Sequence, residues 1–185
     1  NFNDKIKFFQ AASSEMYGLE KSITKNENTP FHPISPYSIA KVHAYWITRM
    51  YREAYGMFAV NGILFNHESP IRGIEFVTRK ISNGVAKISL GLEKSLKLGN
   101  LSAQRDWGYA PEYIEGIISM MTQKKSDDYI LATNETHSIK EFLDEACKVA
   151  HISNSKIQSS KKNFRLHDVQ KTKGSYKKAK KELGW

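Results

Sequence analysis

A tyrosine followed four residues later by a lysine, Tyr37 and Lys41, is the first feature of this sequence that could perform chemistry; it lies in the stretch SPYSIAKVHAYW. On one face of a helix, an ammonium group beside a phenol favours the phenolate, which can accept a proton and later return it. The spacing occurs three times in the chain, at Tyr17/Lys21, Tyr37/Lys41 and Tyr176/Lys180. Spacing alone therefore also fits a surface pair, and the surroundings of each copy have to decide.

The Tyr37/Lys41 copy opens a predicted helix. Ser35 is a suitable N-cap, Pro36 stands where a missing N–H costs nothing, and Gly56 can end the helix. Apolar residues at three-or-four spacing predict the core-facing side of this helix, namely Ile39, Val42, Trp46 and Met50. The other two copies lack such a setting, because a glycine interrupts the first and a lysine-rich tail surrounds the third.

Apolar runs and helical periodicities alternate along the chain. Strands are predicted at 6–12, 58–65 and 129–133, and helices at 75–88 and 110–121. A capping box of Ser138 and Glu141 opens a further helix through Ala150, and a lysine-rich helix ends at ELGW. Such alternation is typical of an α/β fold with a largely parallel sheet, whose ligands lie beyond the carboxyl ends of the strands. The first strand runs into SSEMYG and the second into NHESPIRG, so we expect both polar stretches at the binding crevice.

Composition and charge limit the classes of protein that fit. The 185 residues carry a net charge of +9, but ten basic and two acidic residues between 156 and 185 supply nearly all of it. This local distribution argues against a nucleic-acid partner and fits a solvated helix face best, with a phosphate-facing surface or the exposed end of a truncated chain as alternatives. The chain has no apolar stretch long enough to span a membrane and no signal-peptide pattern, so we expect no membrane and a cytoplasmic location. No metal-ligand spacing is visible, and the lone Cys147 fits a small core residue within a helix.

Three stretches together closely resemble the extended short-chain dehydrogenase/reductase family, and within it the branch that dehydrates GDP-mannose. They are FFQAASSEMYG, the Tyr37 helix continuing into FNHESPIRG, and LGNLSAQRDWGYAPEYIEG. The resemblance runs from about Lys5 to Ser126 and weakens afterwards. It implies the C-terminal part of a Rossmann-like, doubly wound parallel sheet with an interleaved smaller substrate-binding domain.

The resemblance also implies roles for individual residues. By position, Ser13 matches the catalytic serine or threonine, Glu15 the acid/base glutamate, Tyr37 the catalytic tyrosine, and Lys41 a lysine that also contacts the cofactor ribose. The other matched positions are cofactor contacts at Tyr37, Lys41, His67 and Arg72, and substrate contacts at Asn66, Lys80, Arg105 and Arg165. The implied reaction converts GDP-mannose to GDP-4-keto-6-deoxymannose, as in GDP-fucose biosynthesis, with tightly bound NADP as an internal hydride carrier.

Several of these residues also fit a plainer role. Ser13 and Glu15 could form a turn and a helix cap, and His67 could hydrogen-bond locally at a strand end. Arg105 and Asp106 could form an ion pair with each other. Lys80 could lie on the wet face of its helix.

Two departures from the family pattern matter. The chain contains no G-x-x-G-x-x-G or G-x-G-x-x-G, the turn that cradles a cofactor pyrophosphate, so we expect a fragment that is inactive alone. In addition, the stretch RLHDV, residues 165–169, stands where the family has R-P-x-E-V, which leaves the sugar specificity open. The expected division is 1–66 with 108–133 as the remainder of the dinucleotide-binding domain, and 67–107 with 134–185 as substrate-binding elements.

Different classes of function remain open at this point. The chain fits the catalytic part of a GDP-mannose dehydratase, another nucleotide-sugar epimerase or dehydratase, or a non-catalytic remnant that mediates oligomerisation or binds an anionic ligand. The resemblance further implies a homodimer or homotetramer, in which the Tyr37 helix and the 75–88 helix pair across a two-fold axis. The excess apolar surface of the Tyr37 helix agrees with such pairing.

Overall fold

The computed structural model describes residues 6–153, 156–159 and 169–185. Their contacts divide the chain into two compact units. Unit 1 consists of the described residues of Asn1–His67, Asp106–Glu135 and Thr172–Trp185, and unit 2 of those of Glu68–Arg105 and Thr136–Lys171. In the part of the chain that the structure describes, no helix is long and apolar enough to cross a membrane.

Unit 1 is built on a parallel sheet. Strand β1 (Lys7–Ser13) leads through a 3₁₀ helix (Ser14–Tyr17) to helix α1 (Pro36–Tyr55), which returns the chain to strand β2 (Phe58–Leu64). Strand β2 lies in the middle, paired with β1 from Lys7↔Phe58 onward and with the later strand β7 (Asp128–Leu131) from Asn61↔Asp128 onward. Two helices, α3 (Ala110–Met121) and α5 (Lys177–Leu183), pack near β7, and β3 (Asn66–Glu68) pairs with β6 (Trp107–Tyr109). The predicted α/β fold with a parallel sheet is confirmed.

Unit 2 is organised around two amphipathic helices. Helix α2 (Val77–Ser89) packs against helix α4 (Ile139–Val149), beside the strand pairs β4 (Leu96–Leu98) with β9 (Ile157–Ser159) and β5 (Gln104–Arg105) with β8 (His137–Ser138). Its core consists of Ile81, Val85, Ile88, Leu96, Leu98, Leu143 and Cys147. The predicted capping box at Ser138 and Glu141 is confirmed, and Cys147 is a buried core residue whose pKa is raised by burial.

The bounds of α1 follow the sequence signals, but its buried face does not. The Ser35 hydroxyl accepts a hydrogen bond from the Ser38 N–H, and Gly56 ends the helix with a φ of 65°. The predicted core positions Ile39, Trp46 and Met50 are 57%, 53% and 43% exposed, whereas Ser38, Tyr45 and Thr48 are the residues of this helix that lie buried. The predicted facing of the helix is therefore wrong for these three positions.

The C-terminal segment also differs from the expected division, because residues 172–185 pack within unit 1. Gly174 forms a bridge with Lys25, Lys178 Nζ lies 2.6 Å from Asp127 Oδ2, and Trp185 Nε1 donates to the Glu112 carbonyl at 2.8 Å. The stretch 134–185 is thus divided rather than held together as one set of elements. The functional names given to the two parts stay predictions.

Candidate active site at the carboxyl end of β1

The end of β1 carries Ser13 and Glu15. Ser13 caps the 3₁₀ helix, since its Oγ accepts a hydrogen bond from the Glu15 N–H at 3.2 Å. Both side chains are half-buried. The capping role weighed from the sequence is therefore present, and it holds the serine hydroxyl and the glutamate within one turn of each other at the carboxyl edge of the sheet.

The first turns of α1 bring Tyr37 and Lys41 to the same edge. Lys41 Nζ lies 5.5 Å from the centroid of the Tyr37 ring and donates a 2.8 Å hydrogen bond to the Ala11 carbonyl of β1. Ala11 precedes Ser13 by two residues, which is about 7 Å of strand. The Tyr37 side chain remains 54% exposed, so its hydroxyl is open to a ligand. The lysine thus bridges the helix that carries the tyrosine and the strand that carries the serine.

The end of β2 supplies Asn66 and His67 beside this group. Ser13 and Leu64 are partners in the parallel register, so the residues just after Leu64 leave the sheet next to the end of β1. Asn66 is half-buried. His67 Nδ1 lies 2.8 Å from the Phe65 carbonyl oxygen, and its ring stacks on Tyr113 at 4.9 Å between centroids. The local hydrogen bond considered from the sequence is therefore formed.

The remaining predicted contacts lie in unit 2. Arg72 stacks over the Phe76 ring at 3.7 Å, and its Nε lies 3.3 Å from Glu68 Oε2. Lys80 is exposed on α2. One Arg105 amino group donates to the carbonyls of Gln104 and Val169, at 3.0 and 2.7 Å. Arg165 lies outside the described residues.

A buried aspartate that sequence reasoning missed, Asp106, joins the loop after β7 to the C-terminal segment in unit 1. Its carboxylate accepts hydrogen bonds from the Thr133 N–H and hydroxyl at 2.7 Å each, and from the N–H groups of Asn134 and Gly174 at 3.1 Å. Burial raises the pKa of this carboxyl, against the four hydrogen bonds that favour its charged form. Its partners lie far away in the sequence, so a single sequence holds no signal for them.

A second missed cluster centres on Asp128 at the start of β7. Its carboxylate accepts hydrogen bonds from Tyr45 at 2.6 Å, Arg52 at 2.8 Å and Asn61 at 2.9 Å. Burial alone would raise the pKa of Asp128, but these hydrogen bonds and the Arg52 charge lower it. Asn61 was the available signal, because a polar residue inside the apolar run FAVNGILF requires a buried partner.

Comparison with known proteins identifies the family to which this chain belongs. The family model described as GDP-mannose 4,6 dehydratase matches residues 1–185. The chain belongs to the GDP-mannose 4,6 dehydratase family. Among its relatives, GDP-mannose 4,6 dehydratase 1 of Arabidopsis thaliana is 49% identical over 97% of this chain and 50% of its own length. GDP-mannose 4,6 dehydratase of Homo sapiens is 44% identical over 98% of this chain and 54% of its own length.

Solved structures agree on the fold of this family member. The structure of RMD from Pseudomonas aeruginosa complexed with NADPH matches with a TM-score of 0.88 at 20% identity, over 97% of this chain and 60% of that one. The dTDP-glucose 4,6-dehydratase of Bacillus anthracis in complex with NAD matches with a TM-score of 0.85 at 23% identity, over 97% and 56%. At these identities the likeness establishes the fold alone, which is the predicted Rossmann-like one. The chain spans about half the length of the curated relatives it matches.

Proposed function

We propose that this chain carries the proton-transfer residues of a GDP-mannose 4,6-dehydratase, which converts GDP-mannose to GDP-4-keto-6-deoxymannose with NADP as internal hydride carrier. One observation supports this most strongly: Ser13, Glu15, Tyr37 and Lys41 lie around a single carboxyl edge of the sheet, linked by the hydrogen bond from Lys41 to Ala11. The names of the relatives supply the substrate, and the family membership makes an epimerase the weaker alternative.

The four residues would divide the proton transfers. The Tyr37 phenolate takes the proton of the sugar 4-hydroxyl, with the Lys41 ammonium beside its ring stabilising the negative charge and Ser13 as a hydrogen-bond donor. The resulting 4-keto group acidifies the C5 hydrogen, which Glu15 removes and then donates to the C6 hydroxyl as it leaves as water. The atoms balance, because the hydride lost from C4 reappears at C6 and a proton, equivalent to the one that Tyr37 takes from the 4-hydroxyl, is returned to C5. The net change is loss of one water, made of the C5 hydrogen and the C6 hydroxyl.

The side chains present fit NADP. Arg72 Nε is buried, forms no hydrogen bond of good geometry in the described part of the chain, and lies 3.3 Å from Glu68 Oε2; the guanidinium carbon lies 3.7 Å from the Phe76 ring centroid. Such a fixed cation suits a phosphate group. Lys41 and His67 would contact the cofactor from the sheet edge. When bound, NADP supplies an acceptor for the hydride of C4 and returns that hydride to C6.

The substrate contacts and the assembly belong to the same proposal. Asn66, Lys80 and Arg105 would face the GDP-mannose diphosphate and nucleotide. The same role is proposed for Arg165, which is not among the described residues. The exposed apolar side of α1, formed by Ile39, Trp46, Ile47 and Met50, supports a homodimer or homotetramer built through this helix. The buried face of α2 is already occupied by α4, so α2 would contribute its outer face.

The experiment that tests the proposal uses the 185-residue chain alone and the same chain fused behind the Gly-rich N-terminal half of a family relative. We expect no product from the chain alone with NADP and GDP-mannose, because the sequence holds no Gly-rich phosphate turn. We expect the fusion to release GDP-4-keto-6-deoxymannose. A correctly folded fusion without product would contradict the proposed function and favour a binding or oligomerisation module.

Two variants of the fusion separate the proton transfers. Glu15→Gln should still reduce NADP but stall before loss of water, whereas Tyr37→Phe should slow NADP reduction itself, by a factor of about 10² to 10⁴. Absorbance of the reduced cofactor in single-turnover mixtures distinguishes the two. If neither variant reduces NADP, the separate roles of the two residues are wrong.

A further inference from the structure

The hydrogen bond of His67 determines which atom of its ring a ligand meets. The Phe65 carbonyl oxygen, 2.8 Å from Nδ1, can only accept a hydrogen bond, so Nδ1 must carry the proton. In the neutral ring, Nε2 then holds the lone pair. Among the residues that the structure describes, none hydrogen-bonds to Nε2. The ring therefore presents an acceptor on the side away from the Phe65 carbonyl.

Tyr113 fixes the plane of this ring. The two rings stack with centroids 4.9 Å apart and an angle of 23° between their planes, and Tyr113 is only 1% exposed. Behind it, the Trp185 ring meets Tyr113 edge-on at 5.5 Å, and a Cβ added to Gly108 would lie 2.3 Å from Tyr113 Cε2. The tyrosine is therefore wedged between its neighbours and offers the imidazole a fixed ring face to stack on.

The Tyr113 hydroxyl contributes little to this arrangement. It is buried and has no hydrogen-bond partner in the described ranges, an arrangement that costs stability. Burial also raises the pKa of Tyr113, so the group stays neutral and does not act on a proton. The position therefore uses the aromatic ring rather than the hydroxyl.

We propose that His67 binds a hydrogen-bond donor of the ligand through Nε2, and that Tyr113 is the positioning residue that holds the imidazole for this contact. The chemical class of that donor is a hydroxyl or amide N–H group, as in a ribose or a carboxamide. An ionised phosphate offers only acceptor oxygens and cannot pair with the Nε2 lone pair. The ligand rests on the proposed function, whereas the tautomer and its positioning do not.

The tautomer can be observed directly in the chain labelled with ¹⁵N at its six histidines. Long-range ¹H–¹⁵N correlation spectra distinguish protonated from unprotonated ring nitrogens, and loss of one signal set in His67→Gln assigns His67. At about pH 8, where an unperturbed imidazole is neutral, we expect a protonated Nδ1 and an unprotonated Nε2. A protonated Nε2 with a bare Nδ1 would overturn the proposal.

Two substitutions at Tyr113 test its positioning role. Tyr113→Phe keeps the ring and should leave both nitrogen shifts of His67 unchanged. Tyr113→Leu removes the stack and should move both shifts toward a common average, as the two tautomers exchange. Should Tyr113→Leu fail to fold, Gly108→Ala, which pushes on the Tyr113 ring from behind, should move the shifts in the same direction. Unchanged His67 nitrogen shifts in a folded Tyr113→Leu or Gly108→Ala chain would show that Tyr113 does not position the imidazole.

The class of ligand is tested by adding inorganic sulfate as the probe, because this ion is fully deprotonated at that pH and offers only acceptor oxygens, as the phosphates of a cofactor do. We expect the His67 signals to stay unchanged at millimolar sulfate, because Nε2 has no proton to donate. Protonation of Nε2 on addition would show an oxyanion contact and overturn the donor assignment. None of these readouts uses turnover, so a failure of the dehydratase proposal would leave the tautomer result standing.

Discussion

The two halves of helix α1 place the same residue types in opposite surroundings. Near its start, Tyr37 is 54% exposed, and the Lys41 ammonium lies 5.5 Å from the centroid of its ring. Two turns later, Tyr45 is 2% exposed, and its hydroxyl donates to Asp128 inside the network that also holds Arg52. Burial, the largest cause, and the hydrogen bond to Asp128 raise the pKa of Tyr45, so this second tyrosine is held neutral.

The difference shows how one helix serves two purposes. The buried half attaches α1 to strands β2 and β7 through three hydrogen bonds, two from α1 and one from β2, to the Asp128 carboxylate of β7. The open half extends from that attachment and leaves Tyr37 and Lys41 at the carboxyl edge of the sheet. The proton transfer that we propose for this pair requires a fixed helix, since it depends on positions held to a fraction of an ångström.

Removing the Asp128 carboxylate should destabilise the buried half of α1 more than any other change that we predict. Asp128→Ala leaves the buried Arg52 charge and the Tyr45 and Asn61 donors without a partner, and should lower the free energy of unfolding by about 3–5 kcal/mol. Urea unfolding followed by circular dichroism measures this loss. Lys87→Ala serves as the control, because its ion pair with Glu93 is on the surface and should contribute less than about 1 kcal/mol. Equal losses in the two variants would show that the network does not anchor α1.

The two tyrosines should respond differently to loss of their hydroxyls. Tyr45→Phe removes a hydrogen bond to a charged group and should cost about 1.5–3 kcal/mol. Tyr37→Phe should change stability by no more than about 0.5 kcal/mol, because its side chain is exposed. Chemical unfolding of both variants in parallel tests this, and a larger loss for Tyr37→Phe would reverse our assignment of the two halves.

Acid should weaken the buried half selectively. The pKa of Asp128 is lowered from 3.8, so its contribution to stability is complete above the unfolded value and is lost as pH falls through the folded value, below 3.8. The stability difference between the wild type and Asp128→Asn should therefore be constant above about pH 5 and shrink below about pH 4, by about 1.4 kcal/mol per unit of pKa shift. A difference that grows on acidification would contradict the direction of the shift.

Asp106 should show the opposite sign. Its pKa is raised from 3.8, so the charged form costs stability at neutral pH and that cost disappears as pH falls through the folded pKa toward 3.8. In Asp106→Asn this gain on mild acidification should be absent. The test is to measure the unfolding midpoints of the wild type and of Asp106→Asn between pH 7 and 4. If the midpoint changes with pH equally in both proteins, the Asp106 carboxyl does not cause the change.

The exposed apolar side of α1 offers a small expected effect on stability and the largest on assembly. Trp46→Glu should cost the fold about 1 kcal/mol or less, through lost contacts with Tyr45 and Arg49. Yet it places a charge on the exposed apolar face, so sedimentation at micromolar concentration should show fewer oligomers than in the wild type. A wild-type chain that sediments as a monomer with native circular dichroism would remove α1 as the interface.

Local signals made much of α1 and α4 predictable. Ser35 with Pro36 and Gly56 gave the bounds of α1, and Ser138 with Glu141 gave the start of α4, because capping groups act on neighbours within a few residues. The edge of the sheet that gathers Tyr37, Lys41 and Ser13 also followed from strand alternation. The two- and three-residue strands of unit 2 escaped prediction, since segments that short carry no periodicity.

What the sequence could not supply is long-range pairing. The apolar stripe through Trp46 and Met50 predicted a core face, yet the sheet takes the Tyr45 face, because Asp128 lies 83 residues away and is available only in the folded chain. The same limit concealed the role of Asp106. The roles of all the predicted site residues, from Ser13 to Arg165, rest on positional resemblance and stay predictions.

The order of the strands in the sheet delays the completion of this network while the chain is being synthesised. Strand β2 can pair with β1 as soon as α1 has been made, but the β7 partner of Asn61 is Asp128, 67 residues further on. At about 5–20 residues per second of synthesis, that distance takes roughly 3–13 seconds. During this interval Tyr45, Arg52 and Asn61 have no carboxylate to receive their hydrogen bonds, so the growing β1–α1–β2 segment must wait for β7 before α1 is fixed.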